Sequence, residues 1–292
     1  ALHSHIIVVN HALLLADVIT ENRVLPEYEY LIVDEAHHLE DASTSALTYR
    51  VSSNDIDRSI EELGSGKSGA LGNLAMSLQS RMGQEQYSTF HNGLEEITDL
   101  AFRFENEFKQ VILSMETFME DMREGRTVSD YGQRQRVELS TTRQPVWSEI
   151  EVNWQKTSIT LENMINDIAQ MIRDVVDLDF EQELEVEESL SDLARLAKRF
   201  QEVLTNFSSM IYEPDPANVY WLEIHPRSER LSVNVAPLNI GPLMEKYLWH
   251  EKQSVILTSA TLTTNGEFDY LRNRLNADEA DEIGRASCRE RV

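Results

Sequence analysis

Two short apolar runs constrain this chain more than any other feature. YLIVDE, residues 30–35, and SVILTSAT, residues 254–261, are rich in branched aliphatic residues, end abruptly in polar ones and lie more than half the chain apart. Such runs are too apolar to leave one face wet, and they read as strands buried inside a parallel sheet with covering helices. The two strands are therefore expected side by side or nearly so. HIIVVN, residues 5–10, reads as a further buried strand and HALLLADVI as a helix, with Pro26 in the loop before YLIVDE.

Between the two runs the pattern changes to long amphipathic helices. Ile97, Ala101, Phe104, Phe108, Val111, Met115, Phe118 and Met122 recur at helical spacing, as do Trp147, Ile150, Trp154, Leu161, Ile165, Ile168, Ile172 and Val175, and then Leu193, Ala197, Phe200, Leu204 and Phe207. These stripes predict an antiparallel bundle with a solvated acidic outer face, as in FEQELEVEESLSD. Pro214 and Pro216 then stop the helix, VYWLEI and LSVNV read as a strand pair, and GPLMEKYLW as a helix. Neither flanking piece has enough elements to bury a sheet alone, so an insertion into one α/β sheet domain is expected. The expected boundaries are 1–42 and 213–284 for the sheet domain and 43–212 for the helical insertion, whose ends return near Ala42 and Asn218. Residues 285–292, RASCRERV, break with all that precedes them and read as a non-native tail.

Composition limits the alternatives. With 292 residues, 41% of them hydrophobic, the chain can bury a substantial core. No run approaches the roughly 18–20 apolar residues of a membrane helix, and the first residues carry neither a basic leader nor a cleavage site. The single cysteine, Cys288, excludes an internal disulfide framework and any multi-cysteine metal site built from this chain alone. The expectation is a cytoplasmic protein. A net charge of -25 argues against a uniformly basic nucleic-acid surface while leaving room for a local basic groove.

Asp34 and Glu35 stand at the carboxyl end of the first strand, where doubly wound folds open a ligand crevice. There one acid can hold a magnesium ion, directly or through water, while its neighbour polarises a water for attack on a γ-phosphate. Acids also begin many ordinary loops, so the pair alone does not decide between the two.

The residues that follow are more specific. VDEAHHLED resembles the motif II box of superfamily 2 helicases in its DEAH form, at Asp34, Glu35, Ala36 and His37, and VILTSATL resembles helicase motif III, at Ser259, Ala260 and Thr261. With the helical excursion between them, VVNHALLLAD before the first and FDYLRNRL after the second, the chain resembles the DinG branch of the XPD-like DNA helicases from about residue 5 to residue 283. The resemblance implies part of a RecA-like motor domain interrupted by an arch-like helical insertion. It also implies ATP and Mg²⁺ as cofactors, and single-stranded and duplex-junction DNA as partners of a monomeric bacterial protein acting in DNA repair. By the same resemblance Asp34 coordinates magnesium, Glu35 is the catalytic base, His37 links the nucleotide site to the DNA-facing motifs, and Ser259, Ala260 and Thr261 couple hydrolysis to strand movement. His38 matches no required role. Asn10 and His11 fit the family pattern as DNA-facing residues, or equally as a capped helix start.

Two features imitate other sites. LGSGKSGA offers Gly66, Lys67 and Ser68 like the end of a phosphate-binding loop, but Glu61 stands where the first glycine belongs, no apolar strand precedes it, and it follows motif II; it reads as a turn. His37 and His38 are adjacent, whereas a zinc-binding helix needs histidines four apart. A working helicase also needs a phosphate-binding lysine loop and a second motor domain, which these 292 residues do not supply, and in many relatives an iron–sulfur cluster precedes the segment where this chain begins, which leaves the parent's cluster open. The competing expectation is a non-catalytic acidic helical module that binds protein partners and keeps only the shell of an ATPase.

Overall fold

The computed structural model describes residues 4–19, 24–123, 132–178, 184–226, 230–263 and 267–277. The proposed non-native tail, Cys288 and residues 227–229 of HPRSER lie outside them. In chain order the elements are α1 (His11–Ile19), β1 (Tyr30–Val33), a 3₁₀ turn at Ala36–His38, α2 (Leu39–Leu47), β2 (Tyr49–Ser52), α3 (Ser53–Leu63), α4 (Gly69–Leu78), α5 (Gln84–Arg123), β3 (Gln133–Val137), α6 (Leu139–Thr142), α7 (Ser148–Asp177), α8 (Leu184–Tyr212), β4 (Asn218–Ile224), β5 (Leu231–Pro237), α9 (Gly241–Met244) with a π-helical turn at Glu245–Trp249, β6 (Ser254–Leu257) and α10 (Asp269–Leu275). The chain is mixed α/β and divides into two compact units, residues 1–48 with 236–292 and residues 49–235.

The first unit holds a two-stranded parallel sheet in which β1 pairs with β6, Val33 opposite Leu257, so the two apolar runs are direct neighbours. Leu31, Val33 and Leu257 turn toward a core built on Leu14, Leu15, Val18, Ala36, Leu39, Met244, Leu248 and Leu275. The opposite face is open: Tyr30 is 67% exposed, Ile32 68% and Ile256 50%. This corrects the expectation that both faces are covered, because among the described residues the helices lie against one side only. Residues 5–10 form no strand either, and Ile6 and Val8 face solvent while Val9 packs on the core. An apolar run without a hydrogen-bonded neighbour has no ladder to join, whatever its β propensity.

The second unit is built on the three predicted stripes, which become α5, α7 and α8. Alternate turns of each bury Phe104, Phe108, Phe118, Trp154, Phe200 and Phe207 completely, with Phe108 and Trp154 closing on Phe207 at 5.3 and 5.1 Å between ring centroids. The two fully buried tryptophans find acceptors, Trp147 in the Ile211 carbonyl at 3.1 Å and Trp154 in Ser208 Oγ at 3.1 Å, which removes the cost of burying those N–H groups, whereas the buried N–H of Trp221 meets no acceptor among the described residues. Met122, near the end of α5, is 40% exposed and leaves the core.

The same unit carries its own sheet, in the order β2-β5-β4-β3. VYWLEI and LSVNV are neighbours as the pattern implies, but they belong with the helices and pair outward with β2 and β3, so the units divide at 48/49 and 235/236 where the sequence suggested 42/43 and 212/213. A hairpin pattern fixes a strand's neighbour in sequence and says nothing about which sheet receives the pair. On the sheet's polar face Glu223 takes Arg134 at 2.8 Å and Arg50 at 3.4 Å, one carboxylate across three strands. Lys67 sits in this unit too, at the tip of a turn in which Ser65 and Ser68 exchange backbone hydrogen bonds of 2.9 and 3.1 Å.

Candidate functional site

The parallel ladder continues past both strands. The Thr258 N–H donates to the Val33 carbonyl at 2.9 Å and the Ala36 N–H to the Thr258 carbonyl at 3.0 Å, which holds the two carboxyl-end loops together. Ala36 is fully buried and Leu39 anchors the first turn of α2, so the polar residues around them are pushed outward. Glu35 sits where the chain reverses, at φ 49° and ψ 42°, a left-handed conformation that costs a residue with a Cβ about 1–2 kcal/mol. A glutamate held there without glycine's freedom marks a position where the side chain matters.

The result is a compact cluster. His37 Nδ1 lies 2.6 Å from Ser259 Oγ and 3.2 Å from Glu35 Oε2, and the Ser259 hydroxyl faces the same Glu35 oxygen at 3.4 Å. The Thr261 N–H reaches Ser259 Oγ at 3.3 Å, so the loop after β6 folds back on its own serine. The Glu35 side chain stays 61% exposed, open to a ligand from solvent, and Ala260 and Thr261 are exposed beside it. Asp34 Oδ1 accepts the Glu35 N–H at 3.0 Å, and its backbone carbonyl lies 2.9 Å from His11 Nε2. Asn10 caps α1, its Oδ1 accepting the Leu13 N–H at 2.9 Å. The structure thus brings Glu35, His37 and Ser259 into mutual contact, sets Asp34 and Thr261 next to them, and uses Asn10 and His11 to fix α1 and the strand end.

Sequence reasoning gave no part to His38 or Thr258. The His38 ring packs 3.8 Å from that of His37, limiting its rotation, and Thr258 supplies both backbone bonds that join the loops. Thr258 was findable, since a residue between a buried strand and a site must carry the last ladder bonds. Among the described residues no group of three or more His, Cys, Asp or Glu is placed to hold a metal ion, and no helix is long and apolar enough to cross a membrane.

No protein-family model matches the chain. Over 96% of its length the chain is 24% identical to the 3'-5' exonuclease DinG of Bacillus subtilis (strain 168), and the match spans 29% of that protein. A shorter stretch of 48 residues, 16% of the chain, is 48% identical to the ATP-dependent helicase DinG of Mycobacterium tuberculosis (strain ATCC 25177 / H37Ra), covering 7% of it, and equally to that of Mycobacterium bovis. In sequence the chain is therefore similar to DinG proteins, and it spans under a third of the length of the Bacillus relative it matches along nearly its whole length.

Proposed function

We propose that this chain is the central part of an ATP-dependent DNA helicase of DinG type, in which residues 1–48 and 236–284 belong to a RecA-like motor domain and residues 49–235 are its insertion, whose own four-stranded sheet departs from the all-helical arch that the sequence suggested. The observation that carries this reading is the Glu35–His37–Ser259 cluster at the shared carboxyl end of two paired parallel strands, where such folds bind ligands. Two similarities support it: one along nearly the whole chain to a DinG protein named as an exonuclease, and one over 48 residues to DinG proteins named as ATP-dependent helicases. The motor reading also gives the open face of the β1–β6 sheet a use, as the site of further strands and helices of a longer protein.

In this reading Glu35, exposed and held in a strained turn, accepts a proton from the water that attacks the γ-phosphate of ATP. Asp34 presents one carboxylate at the strand end, which fits Mg²⁺, an ion that commonly takes one or two carboxylates and completes its shell with phosphates and water. The ion's contribution is to neutralise charge on the phosphates. His37 is a positioning residue. Its Nδ1 meets both Ser259 Oγ and Glu35 Oε2, which themselves touch, so a change at the γ-phosphate felt by Glu35 alters the loop 259–261 and through it the grip on single-stranded or junction DNA. The helicase acts as a monomer in the bacterial cytoplasm.

The test is Glu35→Gln in the longer protein, which is expected to abolish ATP turnover while nucleotide binding persists, because the amide keeps the shape and loses the base. Unchanged unwinding by that variant removes Glu35 from its role. Ser259→Ala is expected to separate the two activities, leaving ATP hydrolysis and lowering unwinding. The present chain alone is expected to hydrolyse ATP negligibly.

A further inference from the structure

The helical unit carries a groove of about 630 Å³ between the first turns of α5 and the last turns of α7. Its floor is apolar and built from Phe90 and Ile97 on one helix and Met171 and Val175 on the other. Gly93 adds no side chain to that floor; a Cβ there would lie in ordinary contact with Met171 Cε, at 3.5 Å. Its walls carry Glu85, Glu96, Asp167 and Asp174, and no lysine or arginine lines it among the described residues. An apolar trough between two helices accepts a third helix, ridges into grooves. Methionine at the floor lets such a surface adapt to different anchors.

The charge decides the occupant. A nucleic-acid strand is repelled by four carboxylates with no lysine or arginine among the described lining residues, and a second copy of this chain, itself at -25, brings like charge to like. We propose that the α5–α7 groove is a docking site for a basic amphipathic helix of a partner protein, whose apolar stripe enters between Phe90 and Met171 and whose lysines or arginines meet the four carboxylates. The site is separate from the Glu35 cluster and stands whether or not that cluster hydrolyses ATP.

The probe is a synthetic amphipathic helix of leucine and lysine, with a twin in which glutamate replaces every lysine, each titrated into the full chain by fluorescence anisotropy. The lysine peptide is expected to bind and the glutamate twin not to. The E96K/D174K pair is expected to weaken binding about tenfold or more, whereas E187K/E188K, the same charge change on the exposed face of α8, leaves it within about twofold. Gly93→Ala, which narrows the floor without disturbing the helix, weakens it as well. Hydrogen exchange should show protection confined to residues 85–97 and 167–178. Equal weakening by both charge pairs would reduce the effect to attraction by net charge and overturn the proposal. So would binding of the glutamate twin, protection of these segments by a single-stranded oligonucleotide, or a dimer of the chain that E96K/D174K disrupts.

Discussion

The unit of residues 49–235 and the unit that carries the Glu35 cluster solve the problem of burial differently. In the former, three helices of 40, 30 and 29 residues close on interlocking aromatic rings, and a four-stranded sheet is tied across its polar face by ion pairs. In the latter, two strands of 4 residues lie over a small core and leave Tyr30, Ile32 and Ile256 in solvent. The difference teaches where each keeps its strain. The helical unit places its tight turns on glycines, at Gly64 and Gly69, whereas the smaller one puts a glutamate into left-handed space beside its polar cluster.

The largest expected effect contrasts the two kinds of apolar residue. Phe207→Ala removes a fully buried ring packed on Phe108 and Trp154 and should destabilise the helical unit by about 3–5 kcal/mol in denaturant titration. Ile32→Ser, on the open face, should change stability by no more than about 0.5 kcal/mol. A large loss at Ile32 would mean that its face is covered in solution, and the contrast between the units would fail.

A smaller effect compares two of the positive-φ positions, one in each unit. A Cβ on Gly64, at φ 74°, would come within 2.0 Å of the Ser68 carbonyl oxygen, so Gly64→Ala should cost about 2–3 kcal/mol. Glu35→Gly runs the other way, relieving the turn and raising stability by about 0.5–1 kcal/mol. In the longer protein the same change is expected to end ATP turnover. A gain of stability paired with a loss of activity is the signature of strain kept for function; a loss of both would assign Glu35 a purely structural place.

How much of this was legible follows from what decides each element. The helices α5, α7 and α8 were visible because their apolar period is long and uninterrupted, and the meeting of YLIVDE with SVILTSAT followed from two runs that each needed a neighbour. Strand β3 was not visible: QRQRV has a single aliphatic residue, and its place depends on register with β4, where Arg134 finds Glu223. YRVS is likewise too short to declare itself before β5 pairs with it. Within the site, residue types and order pointed to Asp34, Glu35, His37 and Ser259, but the left-handed turn at Glu35 has no sequence signal, since glutamate is not a residue expected there. Thr258 brackets the turn from the neighbouring loop, bonded to Val33 before Glu35 and to Ala36 after it, which is a property of the loops together.

The smallest effect sets one tyrosine of each unit against alkaline pH. Burial, with the carboxylates of Asp17 and Glu251, pushes the Tyr28 phenol up to about 12, and its buried hydroxyl has no hydrogen-bond partner among the described residues. Burial against the bundle core, with Glu202 and Asp55, raises Tyr49 as well. A pKa raised by folding means the folded state holds its proton where the unfolded chain has released it. The stabilisation from the neutral phenol is therefore complete below pH 10, the ordinary tyrosine value, and for Tyr28 is lost as pH climbs from there to about 12. With Tyr28 half-buried, the loss should be about 1 kcal/mol after allowance for solvent screening. Denaturation midpoints followed against pH, beside the absorbance of ionised phenol, should show Tyr28→Phe flattening the alkaline decline of the smaller unit alone and Tyr49→Phe that of the helical unit alone. Tyr28→Phe should also be neutral or slightly stabilising at pH 7, because it removes a buried hydroxyl that nothing among the described residues satisfies. If either substitution flattened both declines, the two units would be unfolding as one cooperative body, and the comparison between them would have to be made within a single transition.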